Sequence, residues 1–244
     1  RRMLPVIVIP TYNEKENVER ITREILGLRC GVSVLIVDDN SPDGTGLIAD
    51  RLAGEFPEVS VLHRQAKEGL GCAYRHGFRV ALDMGADYVF QMDADFSHDP
   101  RYVPQILDAA REHDVVIGSR YVPGGGTRNW GWPRRLISRG GGVYSRLMTG
   151  MKIMDPTAGF RCHRADVLRS IDFSRISASG YGFQVELSYV YTIMGLDVFE
   201  LPIVFADRLE GTSKMSTNII AEAVFLVAGL RHKYSDVTRE NKSR

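Results

Sequence analysis

Two carboxylates set one residue apart close an apolar run at Val89-Phe90-Gln91-Met92-Asp93-Ala94-Asp95. The run reads as a buried strand, and strand side chains alternate faces, so Asp93 and Asp95 share a side if strand geometry persists. Clustered carboxylate oxygens at a strand's carboxyl end suit a hard divalent cation, Mg²⁺ or Mn²⁺. A bare D-x-D also serves turns and caps. Other polar groups recur where apolar runs end: Thr11, Tyr12 and Glu14, then Asp38 and Asp39, then Lys67, then Arg120. Any one of these clusters could be turn chemistry, but five at the same edge of one sheet point to a ligand crevice.

The elements that must position them follow from periodicity. Strands are expected at 4–10, 32–37, 59–62, 88–92 and 115–119, with helices at 17–26, 46–56, 73–84 and 102–111 between them. Alternation of this kind predicts an α/β fold, a mostly parallel central sheet flanked by helices, whose ligands bind at the carboxyl ends of the strands. The 244 residues suit one domain, drawn at 1–234, followed by a polar tail at 235–244 expected to be disordered. Formal net charge is +1 and the three cysteines are scattered, which argues against a nucleic-acid bias, a disulfide framework or a zinc site. No signal peptide is visible, and a start at Arg1 suggests a trimmed terminus. The longest apolar run, 219–230, contains Glu222 and falls short of the roughly 20 residues that span a bilayer.

Thr11-Tyr12-Asn13-Glu14 stands where a dinucleotide fold requires G-x-G-x-x-G, and no Walker-type lysine loop occurs. What remains are parts of a nucleoside diphosphate site with a bridging metal. Between Asp114 and Asp155 there is no acidic residue, while Arg120, Arg128, Arg134, Arg135, Arg139, Arg146 and Lys152 accompany both tryptophans, Trp130 and Trp132. A solvated face is one reading; a second phosphate-bearing ligand, lipids included, is the other, because guanidinium is a planar multi-donor and Trp beside Arg suits anionic headgroups. Further on, Glu186 lies in an apolar helix from 180 and is either an exposed charge or a buried one that needs a partner. A strand is expected at 198–205, a polar loop at 207–214, and a helix at 218–234.

The chain resembles the family 2 glycosyltransferases of GT-A (Rossmann-like) fold, and among them the polyprenyl (dolichyl) phosphate mannose synthases. P-T-Y-N-E (10–14), V-D-D-N-S-P-D-G-T (37–45), K-E-G-L-G-C-A-Y (67–74) and M-D-A-D-F-S-H (92–98) carry the broad likeness. G-S-R-Y (118–121), R-N-W-G-W-P-R-R-L-I-S-R-G (128–140), D-P-T-A-G-F-R (155–161), G-Y-G-F-Q-V-E (180–186) and D-R-L-E-G-T-S-K (207–214) narrow it. The resemblance implies transfer of mannose from GDP-mannose to a polyprenyl monophosphate, inverting to the β-linked product and releasing GDP. It implies that Pro10, Tyr12, Glu14, Asp38, Asp39 and Lys67 surround the nucleotide, with Asp93 near ribose or sugar. Asp95 would bind Mg²⁺ or Mn²⁺, with Asp93 a second ligand; Ser97 stands where some relatives place a metal-binding Gln. Arg120, Arg134, Arg135 and Ser138 would hold the acceptor phosphate, and Arg208 and Lys214 the diphosphate. It also implies work at the cytoplasmic face of a membrane, reached by peripheral contact or through a membrane-anchored partner. A UDP-glucose-dependent polyprenyl-phosphate glucosyltransferase shares this pattern; a sugar nucleotidyltransferase would want a glycine-rich basic loop after the first strand. A third possibility is an inactive membrane module that keeps the nucleotide crevice.

Overall fold

A computed structural model describes residues 3–178, 180–206 and 217–237. Its centre is a seven-stranded sheet in the order β3-β2-β1-β4-β7-β5-β8. The strands are β1 (Pro5–Thr11), β2 (Ser33–Asp38), β3 (Val59–His63), β4 (Tyr88–Gln91), β5 (Val115–Ser119), β7 (Arg161–Arg164) and β8 (Val198–Pro202). All neighbouring pairs are parallel except those of β7, which runs against both β4 and β5. The expected α/β architecture is therefore the one present.

Each central strand is apolar on both faces, and the alternation sorts its side chains into two cores. Val6, Val8, Leu35, Val37, Val89, Val115 and Ile117 face α3 (Leu70–Asp83), α7 (Gly180–Met194) and α8 (Thr217–Lys233). Ile7, Ile9, Val34, Ile36, Phe90 and Val116 face α1 (Val18–Gly27), α2 (Thr45–Glu55) and α4 (Val103–Ala109). Helix α3 crosses β1 so closely that a Cβ on Gly77 would stand 2.4 Å from Val8 Cγ1, which is why a glycine sits inside this helix.

Four expectations change. The region 198–205 is two strands, because Ile203 crosses from the main sheet to a small one. There β9 (Val204–Ala206) pairs with β6 (Gly126–Arg128). Residues 132–149, read only as a basic stretch, form α5 (Trp132–Thr149), which runs straight through Gly140-Gly141-Gly142. A short helix, α6 (Ala165–Ser170), follows β7. The tail boundary at 234 is too early: Arg175 pairs with Asp236 at 2.8 Å and Val237 packs on the core.

Glu186 proves to be buried, and its partners lie on other elements. Its carboxylate accepts from Ala178 N–H (3.0 Å), the Tyr234 hydroxyl (2.9 Å) and Lys233 Nζ (2.5 Å). This fastens the end of α8 to the segment that leads into α7.

On β7, His163 is fully buried between Val89 O (3.1 Å) and the Tyr191 hydroxyl (2.6 Å). Burial, reinforced by nearby Arg161, pushes its pKa from 6.5 down to about 3. A base held neutral in the folded state loses stability as pH falls, since the unfolded chain takes up the proton first. Stability attributable to His163 is complete above pH 6.5 and is lost towards about pH 3. His163→Gln should therefore flatten the dependence of urea midpoint on pH across this window, by on the order of a few kcal/mol at its acid end. Parallel slopes for variant and wild type would show that His163 does not titrate this way.

Candidate active site

The loops after β1 and β2 are stitched to each other by the residues of their own motifs. Asn13 N–H donates to Ser41 Oγ, Glu14 N–H to Thr45 Oγ1, and Lys15 N–H to Asp43 Oδ2. Asp38 is the hub: its Oδ1 accepts from Thr11 Oγ1 (3.0 Å) and Ser41 Oγ (2.6 Å), its Oδ2 from Ser41 N–H (3.1 Å). Asn13 and Asn40 take the left-handed backbone conformation these tight turns require, which Asn tolerates.

Asp39 is also buried, and Arg64 Nη1 meets its Oδ1 at 2.5 Å. Burial raises the Asp39 pKa, with Arg64 pulling the other way. Arg64 further holds Glu68 (2.5 Å) and His76 Nδ1 (3.2 Å), thereby positioning the loop that carries Lys67. Lys67 Nζ lies 3.9 Å from the centre of the Tyr12 ring, a cation–π contact that brings two of the expected nucleotide residues together. Pro10 and Glu14 are half-buried beside them, Glu14 accepting from Asn17 Nδ2.

Strand geometry does not persist through the acidic pair. β4 ends at Gln91, so Asp93 and Asp95 stand on a turn in which Phe96 adopts φ +61°. Asp95 is buried and its Oδ1 accepts from Ser97 N–H (3.0 Å). Asp93 lines a cleft; its Oδ1 accepts from the Tyr74 hydroxyl (3.2 Å). Asp93 N–H donates to His98 Nδ1 (3.0 Å), which fixes the ring's other nitrogen as the protonated one, 4.0 Å from Asp93 Oδ2. Burial lowers the His98 pKa and Asp93 opposes it, so the ring is neutral at pH 7. His98 went unassigned in the sequence although it closes the M-D-A-D-F-S-H motif.

Across the cleft stands Arg120, in a buried bidentate pair with Asp155: Nε to Oδ2 at 2.7 Å and Nη2 to Oδ1 at 2.6 Å. Nη2 also reaches Thr157 Oγ1 (2.7 Å). Trp130 and Arg134 continue this wall, the Arg134 guanidinium lying 4.1 Å from the Trp130 ring centre. Ser138, one helical turn beyond Arg134, accepts from the Tyr121 hydroxyl at 2.6 Å. Arg135 points to solvent. The structure thus brings Asp93, Ser97, Arg120 and Arg134 to one cleft, with the Tyr12–Lys67 and Asp38–Asp39 groups at neighbouring strand ends. Arg208 and Lys214 lie outside the described residues.

Among the described residues no three His, Cys, Asp or Glu side chains are grouped as a metal cage. Two carboxylates and the Ser97 hydroxyl are nevertheless a hard-oxygen donor set. Mg²⁺ or Mn²⁺ with few protein ligands takes the rest from water and substrate phosphate, and this set fits such an ion.

A mostly parallel sheet flanked by helices, with carboxylates at one strand end and arginines opposite, is the architecture of a GT-A-like fold. A family model described as Glycosyl transferase family 2 matches residues 6–172, and the chain belongs to that family. It is 48% identical over 222 residues to an undecaprenyl-phosphate mannosyltransferase of Micrococcus luteus, covering 91% of each chain. It is 46% identical over 225 residues to a polyprenol monophosphomannose synthase of Mycolicibacterium smegmatis, covering 91% of this chain and 85% of that one. In fold it is similar to a mannosyl-3-phosphoglycerate synthase from Rubrobacter xylanophilus, with TM-score 0.68 at 19% identity over 99% of this chain and 76% of that one. The glucosyl-3-phosphoglycerate synthase from Mycobacterium tuberculosis, solved with Mn²⁺, UDP and glucosyl-3-phosphoglycerate, gives TM-score 0.66 at 20% identity over 95% and 80%.

Asp155 is the carboxylate on which buried Arg120 relies. Asp155→Leu should lower unfolding free energy by about 3–5 kcal/mol, the usual cost of stranding one partner of a buried pair. Urea denaturation checks this; a loss under about 1 kcal/mol would mean that Arg120 finds another counter-charge or reaches water.

Proposed function

We propose that the chain transfers a mannosyl group from GDP-mannose to the phosphate of a polyprenyl monophosphate, with inversion at the anomeric carbon. The observation that carries this reading is the near-full-length identity to two relatives whose names both specify mannose and a polyprenyl phosphate. The cleft agrees with it. A phosphate monoester is already anionic at neutral pH, so it needs no strong general base to attack, and the buried histidine beside Asp93 is neutral and hydrogen-bonded to backbone. The protein's work is to hold two anions in line and stabilise a departing diphosphate.

In this reading the Tyr12–Lys67 pair and the Asp38–Asp39 loop flank the nucleoside, with Pro10 and Glu14 completing that edge. Asp93 sits against the donor ribose or sugar. Asp95, with Asp93 and the Ser97 hydroxyl, would hold Mg²⁺ or Mn²⁺, which supplies charge neutralisation for the leaving GDP. Arg134 and Ser138 meet the acceptor phosphate, with Arg120 as the fixed wall behind them and Arg135 at the rim. Arg208 and Lys214 are assigned to the diphosphate on resemblance.

Helix α5 also offers a route to the lipid. Its inward face is Gly142, Ser145 and Thr149, whereas Trp132, Leu136, Val143 and Leu147 form an outward stripe at spacings of four, seven and four. Trp132 and Leu147 are 75% and 77% exposed, and Phe225 of α8, which packs beside α5, is 78% exposed. Exposed Arg135 and Arg139 edge the stripe. Apolar side chains bordered by arginine match an anionic bilayer surface. No helix among the described residues is long and apolar enough to cross a membrane, so contact of this kind would be peripheral.

The test is sugar transfer to a short-chain polyprenyl monophosphate with Mg²⁺, comparing GDP-mannose with UDP-glucose, each with an EDTA control. Metal-dependent mannosyl-lipid formation is expected; glucosyl-lipid instead would overturn the donor assignment. Asp95→Ala should lower turnover by roughly 100-fold or more with the fold intact. Arg134→Ala should raise the acceptor KM by about ten-fold while leaving the donor KM nearly unchanged. Equal effects on both substrates would place Arg134 elsewhere. On vesicles containing anionic lipid, the double variant Leu136→Glu/Leu147→Glu should sediment at least about ten-fold less protein; unchanged sedimentation would exclude this face.

A further inference from the structure

Trp130 stands in the cleft wall between Arg120 and Arg134 and is itself only 7% exposed. Its Nε1–H is enclosed and has no hydrogen-bond partner in the protein. An indole nitrogen is a donor only, and an enclosed donor without an acceptor is among the rarer and costlier features of a folded chain. Phe205 packs against the indole with the ring planes nearly perpendicular and their centres 5.4 Å apart, which offers the N–H at best a weak aromatic contact.

The surroundings state what kind of acceptor would satisfy it. The Arg134 guanidinium stacks on the indole at 4.1 Å from its centre and that of Arg120 lies at 5.5 Å. One residue further on, Gly131 caps the 18-residue helix α5 without any side chain to occupy its first backbone N–H groups. A helix N-terminus, the Arg134 guanidinium and an unused buried donor together favour an anionic oxygen. Arg120 commits its Nε and Nη2 to Asp155 and Thr157.

We propose that Trp130 is a further binding residue of the acceptor site, donating its Nε1–H to a phosphate oxygen of the polyprenyl monophosphate while its ring face fixes the plane of Arg134. This rests on the lipid-phosphate reading given above. The retained indole exchanges some stability of the unliganded protein for a donor set in place before the substrate arrives.

Trp130→Phe keeps the ring for Arg134 and Phe205 and removes only the N–H. The acceptor KM should rise about five- to ten-fold, with the donor KM within about two-fold of wild type and the melting temperature unchanged or higher. A purely structural tryptophan would instead lower the melting temperature and move both KM values. An unchanged acceptor KM would sink the assignment. A second measurement needs no turnover. Trp132→Phe leaves Trp130 as the chain's only tryptophan, so emission reads this indole alone. Titration with short-chain polyprenyl monophosphate should shift it saturably, whereas the corresponding polyprenol or GDP should not. An equal response to the alcohol, or none to the monophosphate, would overturn the proposal. Wild-type transfer in the same preparation separates the two levels. Emission that responds to the monophosphate in a protein that transfers no sugar keeps the Trp130 contact and removes the transferase reading. Normal transfer with a kinetically silent Trp130→Phe does the reverse.

Discussion

The pairing of Arg120 with Asp155 holds the two halves of the cleft in place. Arg120 follows β5, and Asp155 opens the loop that leads into β7, so the pair ties the end of one strand to the start of its antiparallel neighbour. Neither side chain has access to water enough to stand alone: they are 6% and 0% exposed. Asp155 also donates its N–H to Glu200 Oε1 on β8 at 2.9 Å, which extends the tie to the sheet edge. Next to it, fully buried Arg161 bonds Pro156 O, Ala158 O, Gln184 O and Ser188 Oγ, joining the same loop to α7. Two buried cations thus brace the loop beside the cleft. Arg120 has a carboxylate, whereas Arg161 reaches carbonyl and hydroxyl oxygens through Nε and Nη2 and leaves Nη1 without a hydrogen-bond partner among the described residues.

That arrangement divides labour among the arginines. A guanidinium locked in a bidentate pair supplies shape and a fixed background charge balance rather than a mobile counter-charge. Arg134 is placed differently: it lies half-buried on α5 at the cleft, against the ring of Trp130. A similar contrast separates the two acidic residues at the end of β2. Asp38 accepts three hydrogen bonds from its own loops and chiefly shapes them, while Asp39 is paired with Arg64.

The first half of the fold was legible because its strands are buried on both faces and its helices keep a 3.6-residue period. Each reads as a separate signal between turn residues. The rest depended on tertiary facts that local pattern does not encode. Strand β7 is too short for its direction to be read, and its antiparallel placement shows only in its pairing with β4 and β5 and in the contacts of Arg161 and His163 with α7. Three consecutive glycines argue against a helix at 140–142, yet α5 continues through them; at Gly142 the helix passes within van der Waals reach of Met154 and Pro156. Ile203 bonds Ser119 O and receives Gly126 N–H, which breaks one expected strand into two. In the site, residue identities were legible and their jobs less so. Asp93 and Asp95 were found by spacing, but a turn rather than a strand orients them, and His98, Arg64 and Trp130 show their roles only through contacts distant in sequence.

Helix α5 carries the argument from chemistry to setting. A helix that lies at a protein surface has one face to bury and one to leave outside, and the residue types on each face say what lies there. On α5 the buried face is made of the smallest residues, so the helix sits close to the body of the protein, while its outward face is large and apolar. A water-exposed face of that composition costs solubility and gives nothing in return. Arg134 stands on the same helix, at the cleft, within two turns of Leu136 and Ile137. A ligand with a phosphate head and a hydrocarbon tail matches that juxtaposition: the head meets cations in the cleft and the tail leaves along an apolar surface without crossing water. The spacing of polar and apolar groups on one helix thus supports the amphiphilic acceptor proposed above.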